Sequence, residues 1–162
     1  IFDFIINTLR SLPFLILMIA IIPFTRLVVG KSLGPVAAIV PLTVASAPFI
    51  ARIIETALKE VDKGVIEAAK SFGASNTQII FKVMLKEAVP SIVSGVTLAL
   101  ISIIGYSAMA GSIGAGGLGD LAVRYGYQRW KPELMGVTVV VLIILVQLLQ
   151  SLGNYLYKKL SK

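Results

Sequence analysis

Long apolar stretches alternate with polar connections along this chain of 162 residues. A helix needs about 20 mainly apolar residues to cross the hydrocarbon core of a bilayer. Four ranges fit this description: 12–29, 35–51, 89–110 and 134–156. We predict that each is a membrane-spanning helix, so the expected fold is an all-α, polytopic membrane helical bundle that forms a single domain over 1–162.

The polar residues between the apolar stretches predict the orientation of the bundle. Residues 1–11 mix charged with apolar side chains, and an interfacial helix is expected there. Residues 52–88 hold six of the fifteen Lys and Arg residues, and three more lie in the C-terminal tail. Because cytoplasmic connections carry an excess of Lys and Arg, both regions are predicted to face the cytoplasm.

The first residue is Ile1 rather than methionine, and no charged leader with a small-residue cleavage site precedes the first apolar stretch. We therefore expect the chain to be an N-terminally truncated form of a longer protein. The four predicted spans are then a minimum.

Composition narrows the classes of function. The chain is 57% hydrophobic and 14% charged, whereas a soluble domain has about 25% charged residues. It contains no cysteine and no histidine, which excludes thiol catalysis and a Ser-His-Asp triad and argues against most zinc sites. The net charge of +7 is spread over the ends of apolar stretches, a distribution that does not favour nucleic-acid binding. No catalytic residue, metal or cofactor is expected.

Two short motifs superficially suggest phosphate binding. The letters GKS at 30–32 lack the glycine that a phosphate-binding loop requires, because that position is Thr25. Gly114, Gly116 and Gly119 match the spacing G-x-G-x-x-G, but they follow a membrane span rather than a β-strand. Neither motif therefore predicts a nucleotide site.

A break in a membrane helix explains the glycine-rich range 105–120 better than a phosphate-binding loop does. Glycine adopts positive φ at little cost, and non-helical backbone at membrane depth persists only where it is buried in protein or lines a water-filled cavity. We predict that this range lies at the transport pathway or its outer gate, although Met109 could equally be ordinary packing. The candidate residues are Tyr106, Ser107, Met109, Gly111, Gly114 and Gly116.

The cytoplasmic segment contains a second candidate site. Apolar residues recur at helical spacing between Val65 and Phe72, which predicts a short amphipathic helix over 63–71. Gly73 is a suitable stop signal, and Ser75 or Asn76 can cap a second helix. A short helix, a glycine turn and another helix would form a docking surface, whereas the alternative is a solvated loop.

The letters EAAKSFG at 67–73 resemble the EAA signature of the membrane subunits of ABC importers. Three further stretches, IPFTRLVVG, AAIVPLTVASAPFIAR and GYSAMAGSIGAGGLGDLAVRYGY, resemble methionine importer permeases, and the resemblance covers essentially the whole chain. One departure is Lys86, where the family pattern carries a proline; Pro90 follows four residues later. The second helix is therefore expected to be more continuous than usual.

The resemblance implies the roles of particular residues. It makes about 63–73 a coupling helix that docks in a groove of a partner ATPase. Ala68, Ala69 and Phe72 would pack into that groove, Glu67 would meet a basic or backbone donor, and Gly73 would allow the turn.

The resemblance also implies the assembly. The chain would be the permease of a type I ABC importer in the bacterial cytoplasmic membrane. It would form a homodimer with two ATPase subunits and receive methionine from a substrate-binding lipoprotein. ATP hydrolysis would belong to the partner, since this chain has no ATP site of its own. The alternatives are a permease for another amino acid or an osmolyte, a membrane-embedded enzyme, and a passive channel or scaffold.

Overall fold

The structure is a computed structural model that describes residues 2–161; Ile1 and Lys162, which belong to the predicted lead-in and tail, lie outside the described residues. Within this range the chain is helical and has no β-strand, which confirms the all-α prediction. The α-helices are α1 (Phe2–Ser11), α2 (Phe14–Ala20), α3 (Ile22–Val29), α4 (Pro35–Lys59), α5 (Lys63–Ser71), α6 (Asn76–Gln78), α7 (Leu85–Ala110), α8 (Gly117–Asp120) and α9 (Pro132–Leu160). Three π-helical segments, Ile79–Met84, Gly111–Ala115 and Leu121–Tyr127, lie between them.

Three helices of the described chain are long and apolar enough to cross a bilayer. They are α4, the continuous helical run Asn76–Ala110 and α9. Pro90 lies inside the second of these without ending it, so the greater continuity expected from the position of Lys86 is present. The run Asn76–Ala110 has 35 residues and therefore joins the segment 52–88 to the glycine-rich range in one piece.

The first predicted span, 12–29, is not one helix but two short helices in series. Pro23 explains the break, because it has no N–H to donate to the carbonyl group of Ile19 and its ring crowds that group. Ile21 leaves helical geometry at φ −95° and ψ 10°, and its N–H still donates to the carbonyl oxygen of Leu17. The prediction of a single membrane helix over 12–29 is therefore corrected to α2 followed by α3.

Glycines bring the long helices close together, with α7 packed between α4 and α9. A Cβ added to Gly95 of α7 would overlap the side chain of Ile53 on α4. A Cβ added to Gly153 of α9 would overlap the side chain of Thr97, which is itself buried in α7. Small residues at such contacts allow the close helix packing on which membrane bundles depend.

Few large side chains are buried, and most apolar surface faces outward. Of the most apolar 18-residue stretch of α9, only 6% is buried inside the protein. Hydrocarbon surroundings suit such a surface, whereas water does not. The outward-facing apolar residues therefore agree with a bundle that is embedded in lipid.

Substitution of Gly153 by alanine is expected to destabilise the bundle by about 1–3 kcal/mol, because the new methyl group would overlap Thr97 at a packed helix interface. The measurement is thermal unfolding of the purified protein in detergent. Gly136→Ala on the same helix is the matched control, since the space beside Gly136 is open. Equal melting temperatures for the two variants would contradict the close packing of α7 on α9.

Candidate coupling helix and glycine-rich segment

Helix α5 has a defined end on each side. At its start, the Oδ1 atom of Asp62 accepts a hydrogen bond from the N–H of Val65 at 3.2 Å. At its end, Gly73 adopts φ 78°, and its N–H donates to the carbonyl oxygen of Lys70 at 2.9 Å. The N–H of Ala74 donates to the carbonyl oxygen of Ala69 at 3.1 Å, which completes a Schellman motif. The predicted helix over 63–71 and the predicted stop at Gly73 are both confirmed.

One side of α5 packs on the bundle. Ile66 is half-buried against the cluster formed by Ala57 at the end of α4, Val61 in the α4–α5 connection and Ala88 at the start of α7. Ala69 is also half-buried. This side fixes the orientation of the helix and so determines which residues face outward.

The neighbouring side of α5 is apolar and open. Val65, Ala68 and Phe72 follow the spacing i, i+3, i+7, so they share one face of the helix. Phe72 is 91% exposed and Val65 is 40% exposed, and Ala68 is exposed as well. Glu67 is exposed in the middle of the helix. Val65 was not among the predicted contact residues, although its spacing from Ala68 and Phe72 is visible in the sequence.

The connection from α5 to the membrane is also capped. Of the two possible caps predicted for the second helix, Ser75 is the one used: its Oγ atom accepts from the N–H of Gln78 at 3.3 Å. In return, the Oε1 atom of Gln78 accepts from the N–H of Ser75 at 2.9 Å. This capping box begins the helical run that ends at Ala110.

The glycine-rich range breaks the helix at the position that the sequence predicts. Three glycines take positive φ: Gly114 at 104°, Gly116 at 78° and Gly117 at 83°. A Cβ at Gly111 would lie 2.7 Å from the carbonyl oxygen of Gly116, so this position has no room for a larger residue. A Cβ at Gly119 would overlap the backbone of Ala108. The segment therefore folds back tightly on the end of α7.

The predicted pathway residues fall into different surroundings. Ser107 and Gly116 line a cavity of about 430 Å³ between α4, α7, α8 and α9. Tyr106 stacks on Phe14 of α2, with ring centroids 4.9 Å apart, so its ring helps to hold α2 against α7. Met109 is 50% exposed and does not line this cavity.

The glycine positions of the predicted set also differ among themselves. Gly111 is buried. Gly114 lies beside Leu33, which belongs to the connection between α3 and α4, and a Cβ added to Gly114 would lie 3.9 Å from the Leu33 side chain. Of the predicted pathway residues, only Ser107 and Gly116 therefore line the cavity between α4, α7, α8 and α9.

The whole chain, residues 1–162, matches the family of binding-protein-dependent transport system inner membrane components. The chain belongs to this family. As a member, it is an inner membrane component of a transport system that depends on a binding protein.

Individual relatives of this transport component are close in sequence. A probable D-methionine transport system permease protein of Vibrio cholerae is 54% identical over 157 residues, which is 97% of this chain and 70% of the relative. The methionine import system permease protein of Bacillus subtilis is 48% identical over 98% of this chain and 71% of the relative.

Solved structures share the fold of this transport component. An inward-facing structure of the MetNI methionine ABC transporter matches with a TM-score of 0.95 and 48% identity, over 99% of this chain and 74% of that one. An amino acid ABC transporter matches at 20% identity with a TM-score of 0.82, over 97% of this chain and 74% of that one, which shows a shared fold alone.

Replacement of Gly119 by alanine is expected to loosen the glycine-rich segment, since the added methyl group would overlap the backbone of Ala108 and that backbone cannot rotate away as a side chain can. The cost is expected to be roughly 3 kcal/mol. Hydrogen exchange followed by mass spectrometry should show faster exchange confined to residues 105–120. Gly105→Ala is the control, because the space beside Gly105 is open. Unchanged exchange in the Gly119 variant would contradict the tight fold of this segment.

Proposed function

We propose that this chain is the membrane-spanning permease of an ATP-driven importer of methionine. The proposed assembly has two copies of this subunit, two ATPase subunits on the cytoplasmic side and a substrate-binding protein outside, in the cytoplasmic membrane of a bacterium. The observation that carries the proposal is the exposed apolar face of α5, in a chain 54% identical to a probable D-methionine permease.

The exposed face of α5 has the chemistry of a docking surface. An aromatic side chain that is 91% exposed at the cytoplasmic side of a membrane protein is a suitable anchor for a hydrophobic pocket on a partner. We propose that Val65, Ala68 and Phe72 enter the groove of the ATPase, with Glu67 at its polar edge. Ala69 is assigned to the boundary between this face and the bundle, since it is half-buried.

The coupling between ATPase and pathway follows from the continuity of the helical run Asn76–Ala110. At about 1.5 Å per residue, 35 helical residues extend roughly 50 Å. In this proposal, closure of the ATPase pair moves α5 and the start of this run together, because Ile66 and Ala88 belong to one packed cluster. The far end of the run is the glycine-rich segment, so motion at the cytoplasmic end changes the pathway. Such a change requires contacts that differ between the two states, and the docked α5 supplies them.

ATP hydrolysis is assigned to the partner subunit. The letters GKS at 30–32 lie in the connection between α3 and α4, and the 25 residues of α4 separate this connection from the cytoplasmic segment. A helix of that length extends about 37 Å, so GKS lies far from the docking face. This separation supports a permease that depends on a partner for energy.

The phenylalanine of the docking face gives a direct test of ATPase binding. Phe72→Ala is expected to weaken binding of the ATPase subunit by about 2–4 kcal/mol, the range for an aromatic anchor in a buried pocket. Copurification of the ATPase with the tagged permease from detergent provides the measurement. Phe24→Ala, which removes a 54% exposed phenylalanine from α3, should leave copurification unchanged. Retention of the ATPase by the Phe72 variant would reject this face as the docking site.

Uptake of labelled methionine tests the substrate. Cells that lack their own importer would receive the full-length permease, its ATPase and its binding protein, with Gly73→Pro as the variant. Proline holds φ near about −65° and cannot adopt the φ of 78° at Gly73, so the variant should reach the membrane but accumulate no methionine. If the parent assembly is stable and still imports no methionine, the substrate assignment falls, and other amino acids or osmolytes should be assayed.

A further inference from the structure

A small cavity lies where α3 faces α4, beside the end of α7. Its volume is about 20 Å³. Met18 of α2, Ala37 of α4 and Ala110 of α7 form part of its wall, and each of them is at most 6% exposed. None of the pathway residues predicted from the sequence lines this cavity. It is therefore a separate feature of the bundle.

Thr25 of α3 lines the cavity and carries a buried hydroxyl group. The residue is 3% exposed, and its Oγ1 atom has no hydrogen-bond partner among the residues that the structure describes. Such a group is uncommon, because removing a hydroxyl from water is costly unless another hydrogen bond replaces the one that is lost. The hydroxyl of Thr25 therefore requires a partner from outside the described chain.

Buried threonines in other helices satisfy their hydroxyl groups within the helix. The Oγ1 atoms of Thr97 and Thr138 donate to the carbonyl oxygens four residues earlier, at 2.8 and 2.7 Å. Thr25 does not make the corresponding side-chain bond to Ile21, although its backbone N–H donates to the Ile21 carbonyl oxygen at 2.8 Å. The hydroxyl of Thr25 is thus available to a ligand in the cavity.

Pro41 leaves a second hydrogen-bonding group beside the same cavity. It lies inside α4 and has no N–H, so the carbonyl group of Ala37 lacks its usual helical donor. Pro41 and Ala37 both line the cavity, and the half-buried Ser32 adds a hydroxyl group from the connection between α3 and α4. In membrane helices, hydroxyl side chains and ordered water satisfy the carbonyl groups that prolines leave without a donor.

The size of the cavity determines which ligand it can hold. One water molecule needs about 10–15 Å³ and typically makes about three hydrogen bonds when it is buried. A volume of about 20 Å³ therefore fits one water molecule and is far too small for an amino acid. A calcium ion is unsuitable, because it takes at least about six oxygen ligands, usually including carboxylates, and no acidic residue lines the cavity.

We propose that this cavity binds one structural water molecule, which joins α3 to α4. The water accepts a hydrogen bond from the hydroxyl of Thr25 and donates one to the carbonyl oxygen of Ala37, with Ser32 as its third partner. For Ala37, this bond replaces the helical hydrogen bond that Pro41 removes. The site does not depend on which solute is transported, so its test is independent of methionine uptake.

The test is X-ray hydroxyl-radical footprinting of the full-length permease in lipid nanodiscs, with a radical scavenger in the bulk solvent. Irradiated water forms radicals where it lies, so a bound water oxidises a neighbouring side chain even when that side chain is buried. Met18 is the reporter, because it lines the cavity, is 6% exposed and carries an easily oxidised thioether. We expect its oxidation to persist with scavenger, whereas oxidation of Met109, which is 50% exposed, should be suppressed.

Thr25→Val removes the hydroxyl group and keeps the shape of the side chain. This variant should reduce oxidation of Met18 about two- to tenfold, the range for losing one hydrogen bond to the water. Its melting temperature should fall by about 2–4 °C, because the water bridge is weakened. Thr25→Ser keeps the hydroxyl group and should retain the oxidation of the parent.

Thr43→Val is the matched control for the loss of a threonine hydroxyl. The Oγ1 atom of Thr43 donates to the carbonyl oxygen of Ile39 at 2.8 Å, and Thr43 does not line the cavity. Oxidation of Met18 should therefore be the same in this variant as in the parent.

Three results would overturn the proposal. If scavenger abolishes oxidation of Met18 in the parent, no water lies beside it. Equal oxidation of Met18 in the parent and in Thr25→Val would mean that the water does not bind to Thr25. A higher melting temperature for Thr25→Val would show that the hydroxyl is dry and destabilising. The first result needs the parent alone, so it decides the proposal even if a variant does not fold.

Discussion

Close contact between helices at glycine is the interaction on which this bundle depends. In hydrocarbon, burying a leucine against another helix gains little, because lipid tails are equally apolar, so association relies on close van der Waals packing. Because Gly95 has no Cβ, the side chain of Ile53 on α4 packs directly against it, and Thr97 packs in the same way against Gly153 of α9. These two contacts hold α7 between its neighbours. Since α7 reaches from the segment 52–88 to the glycine-rich segment, its fixed position relates the two candidate sites to each other.

Local signals explain why the helices and the turn of the segment 52–88 could be predicted from the sequence. The apolar spacing from Val65 to Phe72, the stop at Gly73 and the cap at Ser75 each act within a few residues, and the structure contains all three. The break near Gly114 is local in the same sense, because the glycines themselves permit the positive φ. Pro23 is evident in the sequence too. However, other prolines lie inside uninterrupted helices, so the sequence alone does not show that Pro23 breaks the helix predicted over 12–29.

Features that depend on how helices pack could not be predicted in the same way. Ala68 and Ala69 are adjacent and chemically identical, yet Ala68 is exposed and Ala69 is half-buried, because the orientation of α5 is set by Ile66 and the cluster beneath it. The cavity lined by Arg52, Ser91 and Tyr157 combines residues from α4, α7 and α9, and Arg52 and Tyr157 lie more than 100 residues apart in the sequence. The packing of α7 between α4 and α9 brings these residues together.

The caps at both ends of α5 have a consequence for how the transporter is assembled. An isolated helix of nine residues is marginal in water, because nucleation is costly and few hydrogen bonds repay it. Asp62 and the Schellman motif at Gly73 satisfy terminal backbone groups of α5 within the chain itself. The conformational entropy of forming α5 is therefore lost when the chain folds, before a partner binds. In the proposed assembly, an ATPase subunit would therefore meet a helix that is already formed, and the two folded surfaces could associate without a folding step.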